Sequence, residues 1–331
     1  MKKIIRILYL VLASSLLLSS LLTSLLLTSS LSFAEGAATN DIAYLLTASS
    51  KGDIATVKAM LESGVSANTK DADDITALMY AARKDKADVA AALISKGAEV
   101  NAKDKGGWTA LMFAARKNHV ATVKVLLENG ADPKIRDASG WSAFGMASTS
   151  GYSQIVDLMI KHGVDANAKA DDGKTALMYA EKSGDVPTIT SLMEQGAEAN
   201  AHDRQGATAL MYAAREGHAP AVAYMLSRGA NVDEQDQSRW TALTWAVKKA
   251  QLETAKTLLA GGADVDHEDA EGTPLLQLAV DNGSIDIVKL LLANKANVKA
   301  RDQYGLTAYV YALKKGNAEI VNLIKNAGGK Y

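Results

Sequence analysis

The chain has 331 residues, of which 48% are hydrophobic, 5% are aromatic and 22% are charged. This composition excludes a disordered or uniformly membrane-embedded protein, and the small aromatic share favours packed helices over a β-sandwich. The absence of cysteine from the sequence excludes disulfides, thiolate metal sites, iron–sulfur clusters and a cysteine nucleophile.

The beginning of the sequence has the pattern of a secretion signal. A basic start at residues 2–6 is followed by an apolar, Leu- and Ser-rich run at residues 7–31 and a small-x-small site at residues 32–34. We therefore expect residues 1–34 to be a signal peptide and residues 35–331 to form the exported domain. An uncleaved membrane anchor is the alternative, because the apolar run is longer than a usual signal core.

From residue 41 onward the sequence repeats every 33 residues. Alanine recurs at this spacing without a gap or an insertion, and a second row consists of glycines with one lysine. A fixed period of this length predicts a solenoid of stacked helical units. The alanines are Ala48, Ala81, Ala114, Ala147, Ala180, Ala213, Ala246, Ala279 and Ala312, and the second row is Gly64, Gly97, Gly130, Gly163, Gly196, Gly229, Gly262, Lys295 and Gly328.

Each unit predicts two short helices and a loop. In the second unit the first helix is expected over about residues 76–84 and the second over about residues 87–96, and a polar, β-hairpin-like loop follows. The glycine after the second helix suits a left-handed helix end, and Asp-x-x-Gly segments such as residues 104–107 suit the turn. Because one unit cannot bury both of its apolar faces, the polar residues 39–41 and Lys325 indicate that the terminal repeats act as caps.

These motifs resemble those of the ankyrin-repeat family. The resemblance spans about residues 41–328 and is carried by segments such as Thr-Ala-Leu-Met-Tyr-Ala-Ala at 76–82, Gly-Ala-Glu-Val-Asn-Ala at 97–102 and Thr-Pro-Leu at 273–275. Two departures are alanine at the family's proline and methionine, such as Met79, at its histidine. The resemblance implies an all-α solenoid of nine 33-residue repeats with β-hairpin-like loops, which binds another protein as a monomer and without a cofactor.

Basic residues follow the paired alanines of most units. The ankyrin resemblance places them on the family's binding surface, which consists of the hairpin tips and the outer ends of the first helices. On a net acidic chain they predict an acidic partner surface, whereas the alternative is that they complement the helix dipole. This basic row consists of Arg83, Lys84, Arg116, Lys117, Lys182, Arg215, Lys248, Lys249, Lys314 and Lys315, and Lys70, Lys103, Arg136 and Arg301 add charge before the turn aspartates.

Tryptophans occupy a second candidate position. Trp108, Trp141 and Trp240 each precede the Thr or Ser that begins a first helix, and the resemblance implies that they face the binding groove as anchors. The alternative is that they pack against the adjacent hairpin. The neighbouring aromatic row is predicted to lie in the core, and it consists of Tyr80, Phe113, Tyr179, Tyr212, Trp245 and Tyr311.

The sequence predicts no catalytic, metal-binding or cofactor-binding residues. The methionine row (Met79, Met112, Met178 and Met211) is spaced too widely for a shared metal ion and is interrupted by Gly145, so that it predicts core packing. The acidic segments 71–74 and 264–271 lack the ligand pattern of a calcium loop, and turn carboxylates explain them better. The five histidines are not paired at metal spacing, and no phosphate loop or nucleophile elbow is present.

We therefore expect a non-enzymatic scaffold, periplasmic or secreted, that binds a protein through a concave, basic, Trp-bearing surface. The slight net charge predicts binding neither to nucleic acid nor to membranes, since removal of the signal's three basic residues leaves 33 basic against 37 acidic residues. The alternative function is that of a structural or chaperone-like protector of an exported enzyme or envelope component. The resemblance to exported bacterial ankyrin-repeat proteins connects that alternative with oxidative-stress defence.

Overall fold

The computed structural model describes residues 40–330. The predicted signal peptide lies outside the described residues. Within this range every helix is too short or too polar to cross a lipid bilayer.

Helices alternate along the described chain between a first and a second helix of each repeat. The first helices are α1 (40–51), α3 (Ala77–Arg83), α5 (Ala110–Arg116), α7 (Ala143–Ser150), α9 (Ala176–Ala180), α11 (Ala209–Glu216), α13 (Ala242–Lys248), α15 (Leu275–Asp281) and α17 (Ala308–Lys315). The second helices are α2 (Ile54–Glu62), α4 (Ala87–Ser95), α6 (Val120–Glu128), α8 (Ser153–Lys161), α10 (Val186–Glu194), α12 (Ala219–Ser227), α14 (Leu252–Ala260), α16 (Ile285–Ala293) and α18 (Ala318–Asn326).

The two kinds of helix form two stacked rows. From α3 onward each first helix packs on the next first helix, each second helix packs on the next second helix, and the two helices of a repeat pack on each other. The predicted all-α solenoid is therefore confirmed.

The start of most first helices is fixed by a hydroxyl side chain. Thr109 Oγ1 accepts a hydrogen bond from the Met112 amide at 3.4 Å, which satisfies one of the free N–H groups of the first turn. Ser142 does the same for Gly145 at 3.2 Å, so that it replaces the usual threonine as predicted. These caps determine the residue at which each first helix begins, and therefore the face on which the alanine and methionine rows lie.

The end of the second helix is followed by a left-handed residue. Gly97 has a φ of 86°, and the lysine that breaks the glycine row, Lys295, has a φ of 66°. A residue with a side chain is strained in the left-handed region of φ, whereas glycine is not. Lys295 therefore adopts the conformation of the glycine row with a loss of stability that glycine would avoid.

The hairpin-like loops are held by their turn aspartates. Asp104 Oδ1 accepts hydrogen bonds from the amides of Gly106 and Trp108, both at 2.8 Å, and the Gly107 amide donates to the Asp104 carbonyl at 2.9 Å. Neighbouring loops are joined by bonds such as that from the Ala138 amide to the Gly106 carbonyl at 3.0 Å. In the described range the loops contain isolated antiparallel bridges rather than strands.

A ladder of side-chain amides also joins successive repeats. Asn101 Nδ2 donates to the Gly130 carbonyl at 3.0 Å, and its Oδ1 accepts from the Asp132 amide at 2.8 Å. Asn68, Asn167 and Asn200 make the same pair of bonds to the following repeat. The asparagine of the repeat motif therefore has a structural role between repeats.

The core lies between the two rows of helices. The alanines of the 33-residue row from Ala81 to Ala312 are fully buried, which allows the helices to approach closely. The methionine row is buried as well, since its members expose 1–3% of their surface. The prediction that these methionines fill the core is confirmed, and thioether packing suits such irregular spaces.

Candidate protein-binding surface

The basic row lies at the carboxyl ends of the first helices. Arg83, Arg116 and Lys248 are the last residues of α3, α5 and α13, while Lys182 lies just beyond α9. Most members are exposed, and Arg83 and Arg215 are half-buried. Cations at this end of a helix also interact favourably with its dipole, so the stabilising role and an exposed charged surface coexist.

The charge of this surface contrasts with that of the second helices. Among the described residues, only two members of the basic row form ion pairs. Arg215 pairs with Glu216 at 3.0 Å, and Lys315 pairs with Asp281 at 2.7 Å. The second helices mix both signs and pair them, as Lys256 does with Glu253 at 2.7 Å. Positive charge is therefore concentrated along the ends of the first helices.

The aromatic row is half-buried and most of its rings pack against the core, so the prediction that it lies in the core is confirmed only in part. Except in Phe113, the polar atom of each ring reaches a turn aspartate at the edge of the hairpin. Tyr80 Oη donates to Asp71 at 2.8 Å and Tyr212 Oη donates to Asp203 at 2.6 Å. Tyr179, Trp245 and Tyr311 make equivalent bonds. A buried phenol needs such an acceptor, which keeps the row at the boundary between core and surface.

These contacts also change the ionisation of the phenols. Burial, and then the hydrogen bond to Asp203, raises the pKa of Tyr212 well above its ordinary value. Burial and the bond to Asp172 do the same for the pKa of Tyr179. Both phenols therefore remain neutral hydrogen-bond donors and do not act as bases.

The arginines of the basic row stack on the aromatic row. The guanidinium carbon of Arg83 lies 4.8 Å from the ring centroid of Tyr80. The guanidinium carbon of Arg215 lies 5.1 Å from the ring centroid of Tyr212. Arg116 lies 5.3 Å from the ring centroid of Trp108. Such contacts contribute about 0.5–1 kcal/mol each at exposed sites, and they restrict a long side chain before any partner arrives.

The three predicted tryptophans are half-buried and stack on other rings. Trp108 lies 5.0 Å from Phe113 of its own repeat, and Trp240 lies 4.6 Å from Trp245 of its own. Trp141 instead lies 4.9 Å from Tyr179 of the next repeat, because Met146 occupies the aromatic position of its own repeat. The tryptophans therefore extend the aromatic row, and part of each ring remains accessible.

Lys174 is a candidate residue that the sequence interpretation missed. It occupies the tryptophan position of its repeat, 33 residues after Trp141. Its Nζ lies 5.3 Å from the ring centroid of Tyr212 and 5.8 Å from that of Tyr179, and it pairs with Asp172 at 3.1 Å. Reading the tryptophan row for its exceptions would have found this cation.

Of the basic residues before the turn aspartates, Lys70, Arg136 and Arg301 contact their own hairpins. Lys70 pairs with Asp74 at 2.6 Å. Arg136 donates to the carbonyls of Gly140 at 2.9 Å and of Lys169 at 3.0 Å, which ties its own loop to the next. These residues contribute less free charge to the surface than the sequence suggested.

Glu181 is a second residue whose importance the sequence interpretation missed. It stands where Ala82, Ala115 and Ala214 stand in other repeats, and it is fully buried. Neither of its carboxyl oxygens has a hydrogen-bond partner within residues 40–330. Burial raises the pKa of this carboxyl well above its usual value.

The other titratable clusters have structural roles. His119 Nδ1 lies 2.9 Å from the Ala82 carbonyl of the preceding repeat, and the acidic loop at 264–271 supplies turn acceptors such as Asp269 for the Glu271 amide at 2.9 Å. Across residues 40–330 no three His, Asp or Glu side chains are placed to hold one metal ion.

The chain resembles known proteins over most of its length. A family model described as ankyrin repeats (3 copies) matches residues 45–137, 129–203, 180–269 and 250–330. Among solved structures, the human ASB11 ankyrin repeat domain is similar with a TM-score of 0.62 and 23% identity, over 68% of this chain and 100% of that one. That likeness concerns the fold alone, and no curated protein matches the chain. Because the family match extends over more than half of its residues, the chain belongs to the ankyrin-repeat family.

Proposed function

We propose that this protein is a scaffold that binds another protein through its concave, basic, Trp-bearing surface. Ankyrin repeats generally mediate protein–protein interaction. The observation that carries the proposal is the basic row lying on the aromatic row, with its charged ends exposed over successive repeats. Aromatic rings and arginine are the residues that anchor protein interfaces most often.

The charge of the row determines the partner that we propose. Exposed cations in a line attract a surface of opposite charge and accelerate association with it. We propose an acidic surface on the partner, a monomeric scaffold and a periplasmic or secreted location after removal of residues 1–34. The cations are spread over successive repeats of the stack, which supports a role in docking to an extended surface.

The test is a comparison of two charge-reversed proteins. In one protein, glutamate replaces Arg116, Lys117, Arg215 and Lys248. In the matched control, glutamate replaces four lysines of the second helices, Lys58, Lys124, Lys161 and Lys289. Both are used to capture partners from the extracytoplasmic fraction of the native cell. We expect the first variant to lose the captured protein and the control to retain it. Equal capture by both variants would overturn the proposed surface.

A further inference from the structure

Gly145 interrupts the buried methionine row without a backbone reason. It lies inside α7, and its φ is not in the left-handed region that favours glycine. Glycine inside a helix costs about 1 kcal/mol relative to alanine. Methionine also fits at this position beside a tryptophan, since Met112 and Trp108 coexist in the preceding repeat. The missing side chain is therefore a loss of stability that the fold does not require.

A pocket lies beside Gly145. It has a volume of about 90 Å³ and is lined by the hairpins at 133–142 and 164–174, with Phe144 and Tyr179 among its apolar walls. A Cβ atom at Gly145 would lie 3.4 Å from Cε3 of Trp141, so the indole covers this gap. The space exceeds that of a single water molecule several times, and its apolar lining suits a small hydrophobic side chain.

A second pocket shares a wall with the first. It has a volume of about 300 Å³, and Trp141, Lys174 and Tyr179 line both pockets. Its other walls bring Lys182 and Arg215 to the same depression, together with the single carboxylate of Glu216 and the half-buried ring of Tyr212.

The cations of the second pocket are fixed in place by the aromatic row. Two of them lie close to the ring of Tyr212, since Lys174 Nζ is 5.3 Å and the Arg215 guanidinium carbon is 5.1 Å from its ring centroid. Lys182 is exposed at the rim. Lys174 pairs with Asp172 at 3.1 Å and Arg215 pairs with Glu216 at 3.0 Å, whereas Lys182 forms no ion pair among the described residues. The three cations outnumber these two carboxylates, so the depression favours an anion, which ammonium and guanidinium groups recognise through charge-assisted hydrogen bonds.

We propose that these two adjoining pockets are the specificity subsite of the binding surface, and this inference rests on the proposed function. Its occupant is an extended segment of the partner protein. An apolar side chain of the segment enters the pocket beside Gly145, and an Asp or Glu close to it in sequence lies against Lys174, Lys182 and Arg215. Because Trp141, Lys174 and Tyr179 line both pockets, we expect the two recognised residues to be close together in the sequence of the segment.

The test uses a displayed library of random peptides selected on the whole protein. Enriched peptides are resynthesised with a fluorescent label, and their affinity is measured by anisotropy. We expect an aliphatic or aromatic residue close to Asp or Glu in the enriched sequences. Lack of enrichment, or enrichment of sequences without this pairing, overturns the proposal.

Two variants of the protein make the test specific. Gly145→Met fills the first pocket and recreates the pairing of Met112 with Trp108, while Thr244→Met adds the same side chain at the corresponding buried position of a distant repeat. We expect Gly145→Met to weaken peptide binding at least tenfold and Thr244→Met to leave it unchanged. Lys182→Glu, which alters an exposed side chain only, should weaken it similarly. Unchanged binding by Gly145→Met or by Lys182→Glu overturns the subsite.

The outcome for the subsite is distinguishable from that for the proposed function. If Gly145→Met captures the native partner as well as the unaltered protein, while the charge-reversed first-helix variant does not, the subsite is refuted and the binding surface stands. If the charge-reversed variant also captures the partner fully, both proposals fall.

Discussion

Replacing Glu181 by alanine is expected to stabilise the protein, although it removes a side chain from the core. The carboxyl is fully buried without a hydrogen-bond partner among the described residues, and α9 ends at Ala180, just before it. The corresponding helices α3 and α5 continue through Ala82 and Ala115 to the following arginine. Alanine at this position is thus compatible with the stacking of the repeats, and we expect it to allow α9 to lengthen.

The magnitude follows from two opposing effects. A buried polar group without a partner costs about 1–3 kcal/mol, which the substitution relieves. Loss of the buried methylene beyond Cβ removes about 0.8 kcal/mol of favourable burial. The free energy of unfolding should therefore rise by about 0.2–2 kcal/mol when the carboxyl is protonated in both the folded and the unfolded state.

The gain should grow as the pH rises. Because burial raises the pKa of Glu181 in the folded state, the folded chain keeps a proton that the unfolded chain releases above a pH of about 4.3. The unfolded state then binds fewer protons, so the unaltered protein loses stability with rising pH between the unfolded and the folded pKa. The slope of this loss is about 1.4 kcal/mol per pH unit, and alanine abolishes it.

Urea denaturation followed by circular dichroism measures the effect near pH 4 and near pH 8. Glu181→Gln is the control for ionisation, since it keeps an unpaired polar group but should lack the pH dependence. Ala214→Glu is the reciprocal control, which should destabilise α11 and do so more at the higher pH. A Glu181→Ala protein that is less stable than the unaltered one, or a difference that does not change with pH, would refute the reasoning.

Two further substitutions test the links between repeats and the helix ends. Asn101→Ala should lower the free energy of unfolding by about 1 kcal/mol, because it leaves the Asp132 amide and the Gly130 carbonyl without their partner. Hydrogen exchange at the Asp132 amide should accelerate, and unchanged exchange would contradict the role of the asparagine ladder. Lys295→Gly should raise the free energy of unfolding by about 0.5 kcal/mol, because relief of the left-handed strain exceeds the entropy gained by the unfolded chain. Urea denaturation measures this gain, and a loss of stability would contradict the strain at Lys295.

The stacking of the helices was predictable from the sequence because it depends on local and nearest-neighbour chemistry. A period of 33 residues places each alanine against its equivalents, and a Thr or Ser before the first helix caps it wherever it occurs, as Thr109 and Ser142 do. The glycine row predicts where the backbone turns left-handed, and Lys295 follows the row because the backbone path is set by its neighbours. Repetition makes each such signal visible many times over.

The boundary between core and surface was harder to predict. A tyrosine is apolar along its ring and polar at its tip, so periodicity alone does not decide whether it is buried. The position of the hydrogen-bond acceptor indicates the burial of the ring, since Asp71 precedes Tyr80 by nine residues and Asp203 precedes Tyr212 by nine residues. An aspartate at this fixed spacing indicates a phenol held at the edge of the hairpin.

Pockets could not be predicted, because an empty volume depends on every side chain around it. The sequence marks Gly145 only as a gap in the methionine row. What the gap becomes depends on the placement of Trp141, whose indole lies beside the gap and packs against Tyr179 of the next repeat. In this repeat Met146 occupies the position at which other repeats carry the aromatic row.

Several exceptions to the repeat pattern lie in the fourth and fifth repeats. Gly145, Met146, Lys174 and Glu181 all depart from rows that other repeats keep, and Gly145 and Glu181 do so at a cost in stability. In a solenoid the stability of each repeat depends on itself and its neighbours, so these losses are local and weaken α7 and α9. Residues that oppose local stability are expected where a protein functions. A partner seated on these repeats would bind only their folded form, and it should therefore slow hydrogen exchange more in α7, α9 and α11 than in α3 or α15. Protection confined to the terminal repeats would place the partner elsewhere on the stack.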